Sequence, residues 1–220
     1  MELSPMAEDY LKYIYSATEF EEARVGTNAL AAAMNVAPST ASENVRRLVD
    51  SGLVEHERYR GIGLTEKGYS LAVQLVRKHR LLETFLVETL GYRWDEVDEE
   101  AEILEHAVTQ RLLERIDKAL GHPSRDPHGD PIPGADGTVE DTGWKRLTEF
   151  SAGQRVLVER VSDDDTQLLK EVLSQGLTPG LQVQVVERKP YAGTVTIRVE
   201  GTEKTVGDPV AAAVFCAPVS

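Results

Sequence analysis

Residues 25–68 read VGTNALAAAMNVAPSTASENVRRLVDSGLVEHERYRGIGLTEKG, and this stretch decides the fold. Thr27 is placed to cap a short Ala-rich helix, Asn35-Val36-Ala37 interrupts it, and Pro38 opens a second helix that stops at Ser51-Gly52. Two helices joined by so tight a turn predict a helix-turn-helix. After Gly52, LVEHERYRGIGLT alternates and carries Gly61 and Gly63, which predicts two short strands and a turn, the wing of a winged helix. In such a unit the second helix enters the DNA major groove, with its N-terminal residues at the base edges. That face offers Pro38, Ser39, Thr40, Ser42 and Asn44, followed by Arg46 and Arg47; Thr27 and the wing residues Arg58 and Arg60 complete the DNA-contact candidates. Hydroxyl and amide groups read bases or phosphates, and arginines hold the backbone.

Working outward, Met6, Tyr10, Tyr13, Ile14 and Ala17 recur at helical spacing, which predicts a first helix from Pro5 to Phe20. On the other side Thr65 caps a long helix running to Gly91, with Leu71, Leu75, His79, Leu82, Leu86 and Leu90 on one side. Another helix is expected from about Asp98 to Leu120, with Leu104, Val108, Leu112 and Ile116 on a stripe. Such stripes pack on each other or on a second copy of the chain. GHPSRDPHGDPIPGADG is too rich in Pro, Gly and Asp for regular structure and reads as a long connection. From Arg146, RVLVERV, LQVQVVER and TVTIRVE alternate as strands around a short helix, LLKEVLSQG, predicting a small β-barrel-like module. The class expected is therefore mainly α with small β: a winged helix-turn-helix over residues 1–70, a helical domain over 71–145 and a β module over 146–220.

The 220 residues are 41% hydrophobic, enough for a real core, and no apolar run approaches the roughly 20 residues that span a bilayer. MELSPMAEDY lacks the basic start and apolar stretch of a secretion signal, so a cytoplasmic protein with no membrane partner is expected. The single cysteine, Cys216, can form neither an internal disulfide nor a cysteine-rich zinc cluster. A net charge of −13 argues against nucleic-acid binding when taken as a sum, but the largest share of the excess lies in the middle third, outside the helix-turn-helix.

That middle third contains EEAEILEHAV at residues 99–108, where Glu102, Glu105 and His106 fall at i, i+3 and i+4 on one helical face. Like charges so close repel, and a cation offsets the repulsion. His79 and Glu83 repeat the i, i+4 pairing in RKHRLLETF, and the first helix supplies Glu8-Asp9. A lone His–Glu pair is ordinarily a surface pair; several around one acidic cluster point to a divalent metal. An oxygen-dominated donor set without sulfur favours an octahedral ion such as manganese over zinc or copper(I).

The order MAEDYLKYIY, PSTASENVRRL, ERYRGIGLT, RKHRLLETFL, EHAV and HPSRDPHGDPIPG resembles, over essentially the whole chain, the diphtheria-toxin-repressor family of metal-dependent transcriptional repressors. The resemblance implies a homodimer with a winged-helix domain, a helical dimerisation and metal domain, and a C-terminal SH3-like (FeoA-like) barrel. It implies a primary metal site of Asp9, Glu102, Glu105 and His106. It also implies an ancillary site built on His79 and Glu83, on Asp126 and His128 of the Asp126-Pro127-His128-Gly129 motif (C-P-H-G in longer manganese regulators), and on a barrel carboxylate. For that carboxylate Asp163 is the choice, with Asp165 or Glu159 as alternatives and Asp98 as a further ligand. The iron-responsive branch typically has Met at position 9 and Cys at position 102, whereas this chain has carboxylates at both, as the manganese branch does. The smallest manganese regulators lack the barrel and carry Glu where this chain has Lys12.

The function implied is a manganese(II)-activated repressor of metal-uptake genes, binding about two ions per subunit and an operator in double-stranded DNA, and not an enzyme. The alternatives are an iron(II)-dependent repressor, a metal-dependent hydrolase using the same ligands, and a helix-turn-helix regulator that senses an organic molecule. No nucleophile motif accompanies the ligands.

Overall fold

The structure is a computed structural model that describes residues 3–19, 24–57 and 60–219. The chain divides into two compact units: Met1–Leu82 with Glu102–Arg115 and Ile132–Val139, and Glu83–Ala101 with Ile116–Pro131 and Glu140–Ser220.

In the first unit, helix α1 (Pro5–Glu19) starts at Ser4, whose carbonyl accepts from Ala7 and Glu8 and whose hydroxyl accepts from Ala7 at 3.3 Å. Helices α2 (Thr27–Ala33) and α3 (Pro38–Asp50) are the helix-turn-helix. The turn between them needs a left-handed residue and finds it at Asn35, with φ +50°. Strands β1 (Val54–Glu57) and β2 (Gly61–Leu64) form the antiparallel wing, from Val54 opposite Leu64 to Glu57 opposite Gly61. Val25 and Ile62 exchange both backbone hydrogen bonds, so the segment before α2 extends the wing by one bridge. The fit of these pieces is a single core: Tyr10, Leu11 and Ile14 of α1 pack with Leu30, Val45, Leu48, Ile62, Val73 and Val76. Each such aliphatic side chain contributes roughly 1.5–3 kcal/mol on burial, so the face of α1 is fastened to the helix-turn-helix.

Two expectations are corrected here. Thr27 is the first residue of α2 and not its cap; that place is taken by Gly26, with φ −79° and ψ 146° and no side-chain bond. The single helix expected over 98–120 is two helices, α5 (Val97–Glu105) and α6 (Gln110–Ala119). The amides of Ala107 and Val108 both turn back to the Leu104 carbonyl, and the Lys78 ammonium caps the Glu105 carbonyl at 3.0 Å. Thr109 then starts α6, its hydroxyl accepting from Leu112 at 3.3 Å. His106 therefore sits in a turn, and the expected stripe breaks: Leu113 and Ile116 are buried while Leu112 is exposed.

Helix α4 (Glu66–Leu90) runs to Gly91, whose φ of +76° ends it. Thr65 caps its start, accepting from Gly68 at 3.0 Å and donating to the Gly52 carbonyl at 2.8 Å.

The second unit is built on an antiparallel sheet of β3 (Lys145–Arg146), β4 (Arg155–Val161), β5 (Gln182–Lys189), β6 (Thr194–Val199), β7 (Thr202–Gly207) and β8 (Val214–Pro218). Its spatial order is β3-β8-β4-β5-β6-β7. Alternation buries Val156 and Val158, Val183 and Val185, and Val195 and Ile197, which pack with Leu169 and Val172 of α7 (Thr166–Ser174) and Ala211 of α8 (Asp208–Ala212). This is the SH3-like, FeoA-like module expected, in which β3, β7, β8 and α8 join the three strands and one helix read from the sequence. The connection at 121–137 is irregular apart from one bridge between Arg125 and Pro131. Among the described residues no helix is long and apolar enough to cross a membrane.

Candidate metal centres and DNA-reading face

Asp9 of α1, Glu102 and Glu105 of α5 and His106 of the following turn each offer one donor atom within 4.8 Å of the others. The imidazole of His106 is gripped from α1: Nδ1 is 3.0 Å from Glu8 Oε2 and Nε2 is 3.1 Å from Asp9 Oδ1. A carboxylate accepts only, so Glu8 favours the tautomer protonated on Nδ1, which leaves Nε2 free to ligate beside Asp9. The Asp9 Oδ1 atom is buried and has no hydrogen-bond donor. Burial, followed by the charge of Glu102, raises the Asp9 carboxyl above its ordinary range.

Lys12, one turn along α1, enters the same cluster. Its ammonium donates to Glu102 and, at 2.9 Å, to Glu105, and lies 3.3 Å from His79 Nδ1. His79 Nδ1 is itself 2.6 Å from the other Glu105 oxygen. Glu105 is only 1% exposed, and burial alone would raise its carboxyl; the bonds from His79 and Lys12 outweigh that and hold it below its usual range. The carboxylates of the cluster outnumber its one ammonium, so it carries the excess negative charge that a divalent cation offsets. An orphaned buried oxygen, a nitrogen beside it and a hard donor set make this cluster fit a metal.

A second cluster lies within the other unit. Glu83 of α4, His128 of the irregular connection and Asp163, which follows β4, offer donor atoms within 4.8 Å of one another. Here the backbone does the positioning. Asp126 Oδ1 accepts from the amides of His128 and Asp130, both at 2.9 Å, and the His128 carbonyl accepts from Val161 of β4 at 2.9 Å. Arg160 donates to Asp130 at 2.7 Å and reaches Asp163 at 3.5 Å, tying the connection to β4. His128 donates from Nε2 to the Trp94 carbonyl at 3.1 Å, which turns Nδ1 toward Glu83 at 3.8 Å and Asp163 at 3.6 Å. That Nδ1 is fully buried without a hydrogen-bond partner, and so this cluster also fits a cation.

Of the ancillary candidates in the second unit, the structure groups Glu83 with His128 and Asp163, and also brings donor atoms of Glu83 and Asp98 within 4.8 Å of each other. Asp126 closes the turn that carries His128, and His79, one turn before Glu83 on α4, bonds Glu105. Asp165 caps α7 by accepting from Gln167 and Leu168, Glu159 is half-buried on β4, and Asp98 is exposed in the first turn of α5. Sequence reasoning passed over Asp130, Arg160 and Trp94, whose roles depend on contacts that no spacing announces.

Burial would lower the His128 imidazole, but Asp163 and then Glu83 outweigh it and raise it from 6.5 to about 9; burial and Asp130 push Asp163 up to about 6. Both groups favour the folded state when protonated. Their stabilising contributions are complete below the unfolded values and are lost as pH rises through the folded ones. Metal-free protein should therefore lose stability between about pH 6.5 and 9 as His128 deprotonates. A metal can ligate only the neutral imidazole, so binding at pH 7.5 should release a proton from His128 and tighten toward pH 9. Calorimetry in two buffers of different ionisation enthalpy measures the release; identical apparent enthalpies would refute it.

Of the candidate DNA-contact residues, Pro38, Ser39, Thr40, Ser42, Arg46 and Arg47 are exposed along α3, and Thr27 is half-buried. Ser42 bonds back to the Pro38 carbonyl at 2.8 Å, and Arg47 pairs with Glu43 at 2.5 Å. Asn44 faces α1 instead of the solvent, its amide reaching Met6 Sδ at 3.0 Å and the Tyr10 hydroxyl at 3.4 Å. Arg60 is exposed beside Glu57, whereas Arg58 lies outside the described residues.

Comparison with known proteins bears on the same stretches. Residues 2–62 match the family profile described as "Iron dependent repressor, N-terminal DNA binding domain", residues 65–134 "Iron dependent repressor, metal binding and dimerisation domain", and residues 145–218 "FeoA domain". The iron-dependent repressor IdeR of Mycobacterium tuberculosis (strain ATCC 25618 / H37Rv) is 35% identical over 215 residues, 92% of each chain. The diphtheria toxin repressor of Corynebacterium diphtheriae is 28% identical over 96% of each. A solved structure described as "Manganese-dependent transcriptional repressor complex with manganese" is 45% identical, with TM-score 0.92, covering 97% of this chain and 100% of that one. The manganese regulator SloR is 36% identical with TM-score 0.84, covering 99% and 100%.

Proposed function

Because the chain belongs to the iron-dependent repressor family, with a FeoA domain at its C-terminal end, we propose that it is a manganese(II)-activated, sequence-specific DNA-binding repressor that controls metal-uptake genes in the cytoplasm. Members of this family are metal-dependent transcriptional repressors, not enzymes, which sets the hydrolase reading aside. The observation that carries the proposal is the buried, donorless Asp9 Oδ1 facing His106 from the helix packed against the recognition helix.

The division of labour is a DNA-binding domain over 1–70, a dimerisation and metal domain over 71–145 and a barrel over 146–220. A divalent cation supplies the charge that offsets the carboxylates at each cluster, about two ions per subunit. Asp9, Glu102, Glu105 and His106 hold the first, and Glu83, His128 and Asp163 the second, with Asp126 and His79 supporting them. Asp9 then anchors one face of α1 to the end of α5, while Tyr10, Leu11 and Ile14 carry the opposite face into the core shared with Val45 and Leu48 of α3. Asn44 adds a polar link between α3 and α1. Fixing α1 thus fixes the presentation of α3. In a homodimer this sets the two recognition helices for half-sites spaced by whole turns of DNA. The exposed apolar Ile103 and Leu112 support a covered face in the metal and dimerisation domain.

Manganese is favoured by carboxylates at positions 9 and 102, by the absence of sulfur from both clusters and by the manganese-dependent relatives. The iron(II) reading is favoured by the IdeR relatives and by manganese's place at the weak end of the divalent affinity order. Fluorescence anisotropy on a duplex from the chain's own upstream region, with buffered manganese, anaerobic iron(II) or no metal, separates them. Activation by manganese at free concentrations where iron(II) is silent is expected. Equal activation moves the reading to iron, and metal-independent binding overturns it in favour of an organic effector.

A further inference from the structure

The ammonium of Lys12 sits among the donors of the α1 cluster, bonded to Glu102 and Glu105, where a cation belongs. Both Glu105 oxygens are engaged, one by Lys12 and the other by His79, so an ion that takes either oxygen shares it with a donor, and the Lys12 ammonium is the positive charge it meets there. Asp9 is in the opposite condition: it shares α1 with Lys12, three residues nearer the start, and its Oδ1 has no donor.

We propose that Lys12 is a tethered counter-cation that holds Glu102 and Glu105 in the metal-free protein and must be displaced from them before they ligate, so that metal binding here is an exchange of an ammonium for a divalent ion. The inference rests on the metal reading of this cluster. An ammonium satisfies two carboxylates with hydrogen bonds but leaves Asp9 unserved. A divalent ion, which takes more ligands, draws in Asp9 as well. The exchange hands the attachment of α1 to α5 from Lys12 to Asp9, almost one helical turn along the rod that carries α3. Lys12 also sets the threshold: it compensates the acidic cluster at low metal and competes with the ion at high metal.

The test is manganese titration of the full chain by the electron paramagnetic resonance of the free ion, with thermal melting of the metal-free form, for wild type, K12M and K12R. K12M should bind manganese about tenfold or more tightly at one class of site and leave the other unchanged, because a close competing charge is gone. Its metal-free form should melt several degrees lower, and K12R should stay near wild type. A lower melting temperature with unchanged or weaker manganese affinity would make Lys12 a purely structural residue and overturn the proposal. Failure of wild type to bind manganese would instead refute the metal reading itself. Should K12M not fold, lysine-selective 15N spectra of the wild type with diamagnetic cadmium serve in its place. One protected ammonium resonance should be lost as cadmium fills the cluster, and its persistence at saturation would overturn the exchange.

Discussion

Asp9→Asn should lower the affinity of the manganese-loaded protein for its operator by about 100-fold while leaving its metal-free affinity unchanged. The substitution keeps the size of the side chain and the packing of α1, whose buried residues Tyr10, Leu11 and Ile14 lie on the other face. What it removes is the charged oxygen that faces His106 at 3.1 Å without a hydrogen-bond donor. If that oxygen is the link by which α1 responds to metal, the coupling between metal and DNA disappears with it. A 100-fold activation corresponds to a coupling of about 2.7 kcal/mol, inside the usual allosteric range of roughly 1–3. Anisotropy titrations with saturating manganese and with chelator measure both ends of the cycle. A variant that is still activated 100-fold would show that Asp9 is not part of the switch.

Gly129→Ala should unfold or strongly destabilise the second unit, by about 3 kcal/mol or more, which for a chain of this size lowers the melting temperature by roughly 6–12 °C. Two independent terms act together. Gly129 has φ +95°, a backbone conformation that an L side chain adopts only with strain, and a Cβ there would lie 2.0 Å from the Glu159 carbonyl oxygen. The Glu159 carbonyl is backbone of β4, which is paired on both sides, and a Cβ has no torsion of its own to turn it away, so neither can yield cheaply. The close approach exists because the His128 carbonyl hydrogen-bonds the Val161 amide. A relaxation that makes room for the methyl group strains this bond and is expected to disturb the position of His128 beside Glu83 and Asp163. Calorimetric melting of the metal-free variant checks the stability, and loss of one class of manganese site in the same preparation checks the geometry. A melting temperature within a degree of wild type would contradict both.

The helix-turn-helix and wing were legible because their punctuation is local: Pro38 starts α3, Gly52 ends the turn after it, and a two-residue alternation with glycines makes the wing. The division of 98–120 into two helices was not, since AVT contains neither Gly nor Pro. The stop depends on Lys78, some 27 positions away, capping Glu105, and on the Thr109 hydroxyl. In the barrel, β4, β5 and β6 alternate clearly, but the buried positions of β7 and β8 are too few or too continuous to mark a period. At the α1 cluster the i, i+3, i+4 spacing brings out three of four donors. The Lys12 contacts join α1 to α5 across 90 and 93 residues, and no local pattern encodes them. Asn44 shows the same limit, because its position on α3 suits a base contact while its neighbours Met6 and Tyr10 draw it inward.

The most direct test of the account is anomalous diffraction at the manganese edge from crystals of the manganese-loaded protein bound to operator DNA. The account predicts one strong peak coordinated by Asp9, Glu102, Glu105 and His106, with the Lys12 ammonium withdrawn from Glu102 and Glu105, and a second peak beside His128. A DNA complex formed under manganese control with no anomalous peak at the α1 cluster would contradict it.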